Sequence, residues 1–183
     1  MAKNLQNLRT ERAIQAAFIK LVNQKGFNQV TIGDIADEAL INRQTFYYHY
    51  QDKYQLTEVM ISEMVDQYDD LYQNYVSSRV NQDNLPERIT RLFPKTNSFW
   101  TTNRDKINAL FSIEFNEHSL EKELKTRFRR SLPELLGRKP LALEEHIFPG
   151  IILAIIEYVI DTGQAPDKDE IIETFSSVSE VFK

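Results

Sequence analysis

The chain contains no cysteine. Disulfides, thiolate metal sites and a cysteine nucleophile are thereby excluded, and a cytoplasmic location is the expectation that suits this composition. Glycine and proline are scarce, with 5 and 6 in 183 residues. Few breakers and few β-branched runs favour helices. The longest apolar run, GIILAIIEYVI at 150–160, carries Glu157 and falls short of the roughly 20 residues that a membrane span requires. No membrane association is expected. The first fourteen residues, MAKNLQNLRTERAI, lack the apolar centre of a signal peptide. No glycine-rich phosphate loop, G-x-S-x-G or H-E-x-x-H occurs. Glu114 and His118, and His146 after Glu144 and Glu145, read as exposed helix charge. No cofactor, metal or catalytic group is expected, and the chain is not read as an enzyme.

The content that remains is that of a globular protein, 42% hydrophobic and 27% charged. Eleven Phe and eight Tyr supply a core. The net charge of −5 argues against a nucleic-acid partner until its distribution is considered. Residues 1–54 hold seven basic side chains (Lys3, Arg9, Arg12, Lys20, Lys25, Arg43, Lys53) against five acids, a balance of +2 beside −7 for the rest. That sign lets the N-terminal part approach phosphate.

Hydrophobic periodicity predicts about nine helices and no strand. Ile14, Ala17, Phe18, Leu21 and Val22 share one face of a first helix over about 8–25, which Gly26 stops. Thr31 is an N-cap for a second helix, with Asp34 three residues on as a short capping box. Asn42 caps a third short helix. Short helix, tight turn, short helix is the helix-turn-helix pattern. Asp52 precedes a long helix expected over about 53–80. Further helices are expected from Pro86, with Pro94 ending or kinking the first of them, then over 104–115 and 120–136 with a break at Pro133, over 143–162 with a kink at Pro149, and over 171–182.

The third helix carries five consecutive rings, Phe46, Tyr47, Tyr48, His49 and Tyr50. At 100° per residue Phe46 and Tyr50 share a face, and they belong to the core with Phe18 and Ile35. Arg43, Gln44, Thr45, Tyr47, Tyr48 and His49 take the other directions. The bland alternative is an ordinary capped helix with half-buried tyrosines. The preceding turn and helix favour a recognition helix, whose N-terminal residues meet base edges in the major groove. Lys53, just beyond it, is of the type that holds phosphate.

The run TIGDIADEALINRQTFYYHYQDKYQL resembles the helix-turn-helix of TetR/AcrR-type transcriptional regulators, through Ile35-Ala36, Thr45-Phe46-Tyr47-Tyr48-His49-Tyr50 and Lys53. The resemblance covers about residues 8–60. It implies an all-α fold with a DNA-binding domain at 1–53 and a helical effector-binding and dimerisation domain at 54–183. It implies groove contacts from Arg43, Gln44, Thr45 and Tyr47, and phosphate contacts from Thr31, Tyr48, His49 and Lys53. Two positions depart from the family pattern. Leu40 stands where glycine is usual in the turn. Gly33 leaves the second helix bare where some relatives carry a base-contacting arginine, which shifts specificity to the third helix.

The resemblance also implies an effector cavity in the ring-rich middle. Tyr68, Tyr72, Phe93, Trp100, Phe111 and Phe115 are its candidates, with simple core packing as the alternative. The last two helices are similar to the dimerising pair of these proteins. Ile151, Ala154, Ile155, Tyr158, Ile171, Phe175 and Val178 would form that interface, unless they are monomer core. The expected partners are a double-stranded palindromic operator, a second copy of the chain and a small-molecule effector, in a ligand-responsive repressor. An activator, or a DNA-architecture protein without an effector, is the alternative.

Overall fold

The computed structural model describes residues 2–76, 85–114 and 118–181. They form α1 (Ala2–Lys25), a 3-10 turn (Phe27–Gln29), α2 (Ile32–Glu38), α3 (Arg43–His49), α4 (Lys53–Val76), α5 (Leu85–Thr102), α6 (Arg104–Phe111), α7 (Leu120–Leu136), α8 (Glu144–Thr162) and α9 (Lys168–Glu180). There is no strand among the described residues, so the fold is all-α. α1 begins six residues before the periodicity placed it.

The helix starts follow the local chemistry. Thr31 and Asp34 form a complete capping box. The Thr31 hydroxyl accepts from the Asp34 N–H at 3.1 Å, and the Asp34 carboxylate accepts from the Thr31 N–H at 2.8 Å. Asn42 caps α3, Asp52 accepts from Gln55 N–H at 2.8 Å to open α4, and Ser119 caps α7. Two expected breaks do not occur. α5 runs on through Pro94 and α7 through Pro133. Both prolines lie on the solvent side, where water can satisfy a carbonyl that has lost its N–H partner. α7 ends instead at Gly137, in the left-handed region with φ 67°.

One hydrophobic cluster runs the length of the molecule, from Ile14, Phe18, Ile35 and Phe46 through Leu56, Met60 and Met64 to Trp100, Leu110, Leu124 and Ile156. α4 is the strut that joins its two ends. α1 and α6 also pack together. The Asn23 amide of α1 donates to the Asp105 carbonyl of α6 at 2.9 Å. No helix among the described residues is long and apolar enough to cross a membrane.

Candidate nucleic-acid interface

α3 is only seven residues long and would not persist alone in water. Its ends and one face are held by neighbours. The Asn42 side-chain oxygen accepts from the Thr45 N–H at 2.7 Å and from the Thr45 hydroxyl at 3.0 Å. Phe46 is fully buried and Tyr50 nearly so, with ring centroids 5.9 Å apart, and both share the core with Phe18 and Ile35. The Gln15 amide donates to the Tyr50 hydroxyl at 3.5 Å. With that face fixed, Arg43, Gln44, Tyr47 and Tyr48 are left exposed, Tyr47 to 56% and Tyr48 to 70%. Both tyrosines are nonetheless oriented. The Tyr47 ring meets Phe46 edge-on at 5.9 Å, and Tyr48 meets His49 edge-on at 5.2 Å.

Other residues that the sequence pointed toward phosphate have their polar atoms committed to the protein. The Thr31 hydroxyl donates to Asp34 at 2.7 Å within the capping box. The His49 side chain is only 6% exposed, with Nδ1 3.2 Å from the Glu11 carboxylate, and so ties α3 to α1. Lys53 turns inward. Its ammonium donates to the carbonyls of Phe27 and Val30, both at 2.9 Å, and of Asn28 at 3.4 Å, and it stands 4.4 Å over the Phe27 ring. Burial lowers its pKa. The carbonyls at the end of the 3-10 turn need donors, and Lys53 is the side chain that reaches them.

The positive charge of the N-terminal part is also partly spent internally. Lys20 pairs with Glu38 at 2.7 Å and Lys25 with Asp34 at 2.8 Å. Lys25 and Thr31 hold the Asp34 carboxyl well below the usual carboxylate range. Arg9, Arg12 and Arg43 are exposed.

The turn between α2 and α3 is left-handed at Leu40, with φ 56°. The Ile41 N–H bonds back to the Ala36 carbonyl at 2.9 Å and the Leu40 N–H to Asp37 at 3.2 Å. This is a Schellman closure, whose left-handed position normally takes glycine. The Leu side chain is 92% exposed, so no burial offsets a backbone cost of about 1 kcal/mol.

Beside α3 lies a polar groove of about 290 Å³, in which Gln6, Asn7 and Thr10 of α1 face Gln44, Thr45 and Tyr48. Sequence reasoning missed Gln6 and Asn7 because it began the helix at residue 8, and Thr10 because only the apolar face of that helix was read. The polar run N-L-Q-N-L-R-T was the available signal.

The sequence pattern of the family described as "Bacterial regulatory proteins, tetR family" matches residues 14–60, which span α1 to the first turns of α4. That stretch, which holds the helix-turn-helix, carries the pattern of this family. No curated protein matches the sequence. Its fold is similar to that of a Clostridium perfringens protein named for a proposed role in regulating fatty acid metabolism, with 16% identity, a TM-score of 0.60, and coverage of 89% of this chain and 94% of that one. It is also similar to a TetR-family transcriptional regulator from Streptomyces coelicolor, with 14% identity, a TM-score of 0.51, and coverage of 90% and 92%.

Several of the central rings pack against one another. Tyr68, Tyr72 and Trp100 are buried. Tyr68 stacks on Trp100 at 5.0 Å and meets Phe128 edge-on at 5.3 Å. The Tyr72 hydroxyl donates to the Ser131 carbonyl at 3.2 Å. Phe93 and Phe111 are half-buried, and Phe115 lies outside the described residues. Tyr68 and Trp100 thus cover one ring face of each other. A groove of about 410 Å³ lies between α4 and α7, floored by Ile61 and Val65 and edged by Glu58, Asp66, His118 and Arg127. The carboxylates of Asp66 and Asp69 pair with Arg127. Among the described residues no three His, Asp or Glu side chains form a group that could hold a metal ion.

The last two helices carry an apolar outer face. Ala154, Tyr158, Phe175 and Val178 are exposed, and Ile151, Ile155 and Ile171 are half-buried. The Tyr158 hydroxyl donates to the Glu170 carboxylate at 3.1 Å, and this bond raises its pKa. α9 makes only sparse contact with the rest of the described chain.

Proposed function

We propose that this regulator is a ligand-responsive repressor that binds a palindromic operator as a homodimer, with residues 1–53 as the DNA-binding part and 54–183 as the effector and dimerisation part. The observation that carries the DNA reading is the division of α3 into a buried ring face and an exposed polar one. Phe46 and Tyr50 hold the helix rigidly, while Arg43, Gln44 and Tyr47 are offered at its accessible side. Arg and Gln are the side chains that read base edges in the major groove. Thr45, at the cap, and Tyr48 line the polar groove with Gln6, Asn7 and Thr10, a wall of amides and hydroxyls suited to backbone contacts that fix register. Thr31, His49 and Lys53 serve as the scaffold of this face.

The dimer reading rests on α9. A 13-residue helix with little packing does not persist in water on its own. This one exposes Ile172, Phe175 and Val178. Pairing the α8–α9 faces of two copies across a two-fold axis buries those side chains and sets two α3 helices against two half-sites. An effector that binds the groove between α4 and α7 would shift the equilibrium between two spacings of those helices. The second reading, a DNA-binding protein without an effector, is supported by the packing of Tyr68 against Trp100 and Phe128. A thermal-shift panel of small molecules separates the two.

The test of the main reading combines sedimentation with selection from random-sequence duplexes. The wild type should sediment as a dimer and enrich a palindrome. Phe175→Asp should sediment as a monomer and lose the palindrome. Tyr47→Ala should remain a folded dimer whose affinity for the enriched site falls by about 1–3 kcal/mol. Unchanged binding by Tyr47→Ala would remove α3 from the recognition role.

A further inference from the structure

We infer that Gly33 is a positioning residue for Arg43, and through it sets part of the base preference of this regulator without touching DNA itself. The inference rests on the reading of α3 as the helix that enters the groove.

Gly33 is the second residue of α2 and is buried. The Arg43 side chain crosses from the start of α3 and lies against it. A Cβ built on Gly33 would stand 2.6 Å from Arg43 Nη2, 3.2 Å from Cζ and 3.3 Å from Nε. The first of these is closer than side-chain carbons pack, so the guanidinium occupies the room that any residue other than glycine would fill. Arg43 is exposed to solvent, and among the described residues no carboxylate pairs with it. Its charge is therefore unspent, unlike that of Lys20, Lys25 and Lys53.

An exposed arginine ordinarily gives up much rotamer freedom when it binds. The seat on α2 limits that freedom beforehand. Arginine is also the residue type that holds guanine with two parallel donors, where direction matters as much as charge. The bare position on α2 is thus not an absence of a reader. It is the bed on which an arginine of α3 is laid, so that one guanidinium serves the edge shared by both helices.

The same geometry makes the inference separable from folding. The guanidinium is the flexible end of its side chain, so Arg43 would give way before the backbone did. Alanine is a better helix former than glycine, and the φ of Gly33 is not positive. Gly33→Ala should therefore fold at least as well as the wild type and still misplace Arg43.

The experiment is selection from a pool of random-sequence duplexes with the wild type, Gly33→Ala, Arg43→Ala and the double variant, alongside thermal melts. Gly33→Ala and Arg43→Ala should lose preference at the same base pairs, about tenfold or more at each, and keep it elsewhere. The double variant should match Arg43→Ala alone, and Gly33→Ala should not melt earlier. The inference is overturned if Gly33→Ala keeps the full wild-type preference, or if its effect persists in the absence of Arg43. A wild type that enriches no sequence overturns the DNA reading and this inference together, whereas a wild-type motif untouched by Gly33→Ala overturns this inference only.

Discussion

Arg104 closes the end of α8 through Ile160. Its Nε donates to the Ile160 carbonyl at 2.8 Å and to the Val159 carbonyl at 3.1 Å, and the guanidinium lies against Gly163, where the helix stops. The last carbonyls of a helix have no partner within it and carry its negative pole. Arg104 is also the first residue of α6, and the next residue, Asp105, receives the Asn23 amide of α1. One short segment therefore fastens the end of α8 to the N-terminal part.

Arg104→Met keeps the stem and removes the donors. It should cost about 1.5–3 kcal/mol of stability, the range for hydrogen bonds to a charged group. Urea unfolding measures this. A midpoint that does not move would show that water serves those carbonyls equally well.

Lys53→Met separates a scaffold from a phosphate ligand. The carbonyls of Phe27, Asn28 and Val30 lose the Lys53 ammonium, and the fold should weaken by about 2 kcal/mol. If the variant instead unfolds like the wild type and only its DNA affinity drops, Lys53 is a phosphate ligand after all.

Leu40→Gly relieves a left-handed leucine that gains nothing from burial. Stability should rise, by up to about 1 kcal/mol after the greater freedom of glycine in the unfolded chain is subtracted. A lower melting temperature would show that the leucine side chain makes a contact of value.

Acid should loosen the molecule at two identifiable carboxylates. Asp34 is held well below the usual range by Lys25 and Thr31, and Glu144 is lowered to about 2 by the Arg138 guanidinium and the Leu141 N–H. Both folded-state values are depressed. Their stabilisation is therefore present above the ordinary carboxylate range and is lost as pH falls through the folded values. Urea midpoints should be flat near neutrality and fall between about pH 4.5 and pH 2. The fall should be shallower in Asp34→Asn and Glu144→Gln, and equal slopes in all three proteins would rule these groups out.

Periodicity and capping residues made the helices legible. Thr31, Asn42 and Gly163 stand at helix ends as a reading of the chain placed them, and Phe46 and Tyr50 are core as their four-residue spacing required. Residue type says less where a side chain has two uses. A lysine just after α3 suits phosphate, but Lys53 meets three carbonyls 23–26 residues away in sequence, and no local pattern announces that. Ring composition does not say whether Tyr68 and Trp100 meet each other or a space. The partner that Gly33 has in Arg43 was likewise invisible, since a missing side chain leaves no trace in a sequence pattern.

The internally paired lysines have a further consequence, in ionic strength. Proteins that hold DNA through many lysines displace a crowd of condensed cations, and their grip fades steeply as salt is added. Here Lys20, Lys25 and Lys53 are occupied by the protein's own carboxylates and carbonyls, and the face beside α3 is built from amides, hydroxyls and rings. A module of this kind displaces few ions when it docks. If it binds an operator as proposed, its affinity should fall with added salt less steeply than that of a lysine-lined module, the exposed Arg9, Arg12 and Arg43 setting the slope that remains.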